Sequence, residues 1–254
     1  MSNLDRPQLF ISIIALGMSL IACSVVLARG MKGIRGGQQT VVVTGSAKKR
    51  IRSDFATWRT VVKSDAPQLA QAYRALTQDV PKVKAYLLAK GIPENQIVMS
   101  AIRTTTVRER RGSAAYPPDQ GDGEASGRVI GYSLQQDVEV RSSDVDKIAA
   151  LSRQVTELIN QGMLIESGAP EYLSTKLGDV KIEMLAEAAK DAKARAQQIA
   201  DATGSKIGPV QAARMGVLQI TPPGSNVVTD YGVNDTSSIE KDITAVINIT
   251  FAVD

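Results

Sequence analysis

Apolar and polar residues follow two rhythms along this chain, and the switches between them mark its elements. QTVVVTGSAKKRI, from Gln39, has the β-branched density of a strand and carries a Gly45-Ser46 turn signal. DFATWRTVVKSD (54–65) predicts a second strand. Residues 66–90 then change to a helical period, with Leu69, Tyr73, Leu76, Val80, Val83 and Leu87 on one face. Pro81 should kink or split that helix, and Gly91 should end it. Strands are predicted at 97–110 and 128–142, around a Gly-, Pro- and acid-rich loop at 111–127. A helix at 143–161, opened by Ser143 or Asp144, carries the stripe Val145, Ile148, Leu151, Val155, Leu158 and Ile159. Strand character returns at 163–176, broken by Gly168 and Pro170. A long helix follows at 179–203, with the seam Ile182, Leu185, Ala189, Ala192, Ala196 and Ile199. Strands at 208–220 and 240–253 close the chain around a second loop, 221–238.

The halves correspond at an offset of 113 residues. Gly91 maps to Gly204, Ile97 to Val210, Ile130 to Ile243, Leu134 to Ile247, Val138 to Phe251 and Val140 to Val253. The expected fold is α+β: two pseudo-repeated strand–helix–strand–strand units whose antiparallel sheets bury one face under helices. Open strand edges and an alanine-rich helix seam point to self-association, and hence to a homo-oligomer.

The N-terminus reads differently. Leu9 to Ala28 is 20 residues without a charge, which as a helix is about 30 Å long, the thickness of a hydrocarbon core. Its apolar positions are Leu9, Phe10, Ile11, Ile13, Ile14, Leu16, Leu20, Ile21, Val25, Val26 and Leu27. The length favours an uncleaved single-pass anchor and membrane attachment. Cleavage after Ala28 and lipidation of Cys23, within a lipobox-like Leu20-Ile21-Ala22-Cys23, are the alternatives. Gly30, Gly33, Gly36 and Gly37 make the following stretch a linker, so 1–37 is separated from a body at 38–254.

Charge and composition narrow the chemistry. The net charge of +4 is concentrated at the N-terminus, where residues 1–37 hold four basic groups and one acid. The body has 26 basic and 25 acidic groups, which argues against a nucleic-acid partner. Arg29, Lys32 and Arg35 behind the span would hold the body in the cytoplasm. With no His, the Ser-His-Asp and Cys-His systems and His-ligated metal sites are excluded. No cofactor motif is present, and no carboxylate pair argues for acid–base catalysis. Asp119, Asp122 and Glu124 miss the calcium-loop spacing. Lys48, Lys49, Arg50 and Arg52 form a basic run placed between the first two strands. Beside a tether, it would face anionic headgroups; its simpler reading is a solvated hairpin cluster.

Four segments, VVVTGSAKKRI, GYSLQQDVEVRSSDVDKIAALS, KIEMLAEAAKDAKARAQQIADATGSKIG and EKDITAVINITFAV, resemble the SIMPL-domain family, which includes the YggE-like periplasmic proteins. The resemblance covers residues 38–254 and carries no catalytic residues. It implies a body outside the bacterial inner membrane, against the flanking charges, with ring or channel-like assemblies and links to oxidative and envelope stress. The expectation is a non-enzymatic, membrane-tethered homo-oligomer at the cell envelope. The alternative is a monomeric tethered module that binds a small-molecule or protein ligand through loops 111–127 and 221–238.

Overall fold

A computed structural model describes residues 16–21, 23–24, 26, 39–109 and 128–254. The chain is α+β, and every strand pairing with an assigned register is antiparallel. It divides into two compact units: Met1–Gly45, Ala189–Met215 and Ile247–Asp254 form one, and Ser46–Ala188 with Gly216–Val246 form the other.

The larger unit is built on β2 (Phe55–Ala66) and β5 (Val129–Ser142), paired from Ala56–Ser142 to Ala66–Tyr132. β3 (Ile97–Met99) and β4 (Arg103–Arg108) line up on the outer side of β5. β6 (Leu164–Ser167) and β7 (Glu171–Leu173) pair with β2. The predicted 97–110 strand is thus broken after Met99. The Ser100 hydroxyl accepts the ladder bond of the Asp137 N–H at 3.0 Å.

Strict alternation on β2 sends Ala56, Trp58, Thr60, Val62 and Ser64 inward. Ala56, Trp58 and Val62 meet Leu76, Val80, Val83 and Leu87 of α1 (Leu69–Ala89), and Val145, Ile148 and Leu151 of α2 (Val145–Gln154) in one core. Ala72 takes the inward position in the first turn of α1, leaving Leu69 and Tyr73 exposed. Pro81 does not split α1. It sits on the solvent face, where water can satisfy the carbonyl it orphans, while Val80 and Val83 are held in the core on either side. Asp144 caps α2 by accepting from the Lys147 N–H at 3.1 Å. The predicted helix 143–161 changes at Val155 to a 3-10 helix (Val155–Gln161), which leaves Ile159 exposed.

The four-stranded sheet has the order β1-β10-β8, with β9 also on β10. These are β1 (Thr40–Arg52), β8 (Ile207–Met215), β9 (Gln219–Thr221) and β10 (Glu240–Val253). The Gly45-Ser46 turn signal is overridden. β1 runs straight through it, because β10 supplies ladder partners from Val253 N–H to Gln39 O at one end and Ser53 N–H to Ile239 O at the other. In the smaller unit, Val43, Ile249 and Phe251 pack against Ala192 and Ala196 of α3 (Leu177–Thr203).

The predicted seam of α3 holds at Ala192 and Ala196, with Ala189 packed beside them, and fails at its two ends. Met184, Ala188, Ala192, Ala196 and Ala200 are inside, whereas Ile182 is 71% exposed and Ile199 is also exposed. Helices α1 and α3 end alike. Gly91 donates to Leu88 O and Ile92 to Leu87 O; 113 residues on, Gly204 donates to Asp201 O and Ser205 to Ala200 O. Both glycines take positive φ, 81° and 73°, which a Schellman motif requires and a Cβ would strain.

Candidate functional site

The basic run lies within β1, not in a hairpin, and each of its side chains meets a carboxylate. Arg50 donates from Nε to Asp242 Oδ1 at 2.8 Å and from a terminal nitrogen to Oδ2 at 3.3 Å. Lys48 Nζ stands 3.1 Å from the same Oδ2, which also accepts the Gly224 N–H at 3.2 Å. Lys49 reaches both oxygens of Glu183 at 2.7 Å. Arg52 grips Asp146 at 2.7 Å and approaches Glu240 at 3.6 Å. Each cation of the run thus has a carboxylate partner within the chain.

Asp242 is buried, and the Arg50 hydrogen bond, followed by the Gly224 N–H, holds its carboxyl far below the usual range. It is a fixed anion with no proton to give or take near neutrality. A folded-state carboxyl pushed down contributes stability above its unfolded value, about 3.9, and loses it as the pH falls through the folded value. Asp242→Asn is therefore expected to lower the urea midpoint at pH 7, with the gap to the parent narrowing as the pH drops below about 4. A gap independent of pH would refute this linkage.

Next to it, Lys241 is buried with its ammonium donating to Tyr172 O at 2.6 Å and to Asp235 O. Burial pushes Lys241 below its ordinary value, opposed by the charge of Asp235. Burial also pushes the Asp235 carboxyl up. Hydrogen bonds from Ser237 and Ser238 and the nearby ammonium outweigh it, so the group lies below its ordinary value. Lys241 thus pins two carbonyls from different segments. Nothing in the sequence marks it, because strand alternation expects one of the neighbours Lys241 and Asp242 to face solvent.

The 221–238 loop is tied down by a second residue that the sequence does not mark, the buried Gln219. Its amide donates to Thr229 O at 2.8 Å and Val217 O at 3.3 Å and accepts from the Val233 N–H at 2.9 Å. The loop therefore folds back along β9, and Tyr231 stands 97% exposed.

Of the anchor positions, Leu16, Leu20, Ile21 and Val26 are helical and exposed; Leu9, Phe10, Ile11, Ile13, Ile14, Val25 and Leu27 lie outside the described residues. Among the described residues no helix is long and apolar enough to cross a membrane. Cys23 is a free, exposed thiol. Loop 111–127, with Asp119, Asp122 and Glu124, lies outside the described residues, among which no group of three or more potential ligands could hold a metal.

These side chains fasten strands and loops to one another. The SIMPL family model, described as a protein of unknown function (DUF541), matches residues 41–251. The chain belongs to the SIMPL family. The match takes in both units and both sheets, from Val41 in β1 to Phe251 in β10. No curated protein matches the chain.

Proposed function

We propose that this SIMPL protein is a non-enzymatic building block of a homo-oligomeric assembly, ring or channel-like, at the bacterial cell envelope. In this reading residues 9–28 are a single-pass anchor in the inner membrane and the body is periplasmic. The assembly would serve in oxidative or envelope stress, as the family resemblance implies. The matching Schellman ends and the split partner strands on β5 and β10 support the further reading that the two halves are copies of one unit.

One observation carries the assembly. Among the described residues β8 is an edge strand, and all nine of its residues are at least partly exposed. Yet Val210 lies opposite Phe251 and Met215 opposite Ile247, on the face that packs against α3. Directly opposed residues share a face of the sheet, so an apolar surface stops at β8 half covered. A further strand from a second copy would cover it and extend the sheet past β8.

The detergent-extracted full chain is expected to sediment and scatter light as a discrete particle of several 27.1 kDa copies. A monomer at micromolar concentration would overturn the proposal and favour the tethered module working through its loops.

A further inference from the structure

In the larger unit, a cleft of about 250 Å³ opens between the first turns of α3 and the 231–234 segment. Its apolar lining comes from Leu177, Leu218, Ile220 and Val233. Asn234 and Lys181 add polar groups. Lys181 differs from the basic residues of β1: among the described residues its ammonium makes no ion pair and no hydrogen bond. The loop wall is fixed before any ligand arrives, since Gln219 holds Val233 and Thr229, and Ile220 exchanges backbone bonds with Val233 and Asp235. A preformed wall lowers the ordering cost of binding.

We propose that this cleft binds a small organic acid, its hydrocarbon body on the apolar lining and its carboxylate on Lys181. Charge complementarity selects the head group. The four apolar side chains offer a hydrocarbon body a contact that a bare anion cannot use. Asn234, also on the lining, offers an amide donor for a carboxylate's second oxygen. The site uses neither the β8 edge nor the anchor, so it stands whether the protein is assembled or single.

The test is equilibrium dialysis of the full chain in detergent against radiolabelled benzoate, with benzamide, acetate and inorganic phosphate as competitors. Benzoate is expected to bind saturably, one per chain, in the millimolar range or tighter. Benzamide lacks the charge, and acetate and phosphate lack the body; each should compete at least about tenfold less well. Lys181→Met keeps the aliphatic stem on an exposed helix position and should weaken benzoate at least about tenfold. Equal competition by benzamide or phosphate, unchanged binding by Lys181→Met, or no saturable binding would each overturn the proposal.

Discussion

Trp58→Ala is expected to destabilise the larger unit by about 3–5 kcal/mol, a large share of the stability of a domain this size. Trp58 is 1% exposed at the centre of β2, in a core with Val62, Leu76, Leu87, Leu134 and Ile148. Its indole Nε1–H donates to the Ser167 hydroxyl at 3.0 Å, and that hydroxyl donates in turn to Ser152 O at 2.6 Å. Truncation removes the largest buried side chain and leaves a cavity walled by a sheet and two helices, which cannot collapse together to fill it. Trp58→Phe keeps most of the volume and loses only the hydrogen bond; it is expected to cost about 1–2 kcal/mol. Urea titrations followed by circular dichroism measure both. An alanine variant as stable as the phenylalanine one would show that the indole volume is not what organises this core.

That core was legible from the sequence because its residues are large and regularly spaced. Trp58 and Val62 alternate on a strand; Leu76, Val80, Val83 and Leu87 keep one helical face. The smaller unit was harder to read. In α3 the predicted seam caught Ala192 and Ala196, but Ile182 and Ile199 pulled its ends off the buried face, which runs through alanines at four-residue spacing. Alanine occurs on both faces of that helix, so it carries little periodic signal, and only the sheet against which it packs decides the phase.

The basic run illustrates a different limit. Four cations between two predicted strands looked like a solvated hairpin because their partners are far away in sequence. Arg52 pairs 94 residues on, Lys49 134 residues on and Arg50 192 residues on. Local pattern cannot show which carboxylates a strand meets once β10 is laid beside it. The same holds for Gln219, an amide in a short apolar strand whose three partners belong to the loop that follows. What the sequence did show was where charge and loop length were concentrated. What it could not show was that the cations were already paired and that the loop was folded back onto its own strand.

Introducing lysine at both Val210 and Met215 is expected to reduce the assembled particle to single chains. In one copy these side chains are 55% and 53% exposed, so a charge at either position costs the monomer little, within about 0.5 kcal/mol. Against a partner strand the same charges would be buried on an apolar face without a counter-ion. At about 2 kcal/mol per site, association weakens about a thousandfold for the pair. Inward-pointing lysines on edge strands prevent sheets from joining by the same means. Val228→Lys tests specificity, since Val228 is more exposed than either residue but belongs to the loop; its particle mass should not change. Light scattering gives the mass and urea titration gives the fold of each variant. A double-lysine protein that keeps both its stability and its full particle mass would place the contact between copies elsewhere than β8. Dissociation with the fold intact would identify β8 as the edge through which one copy recruits the next, because the two lysines disturb little else.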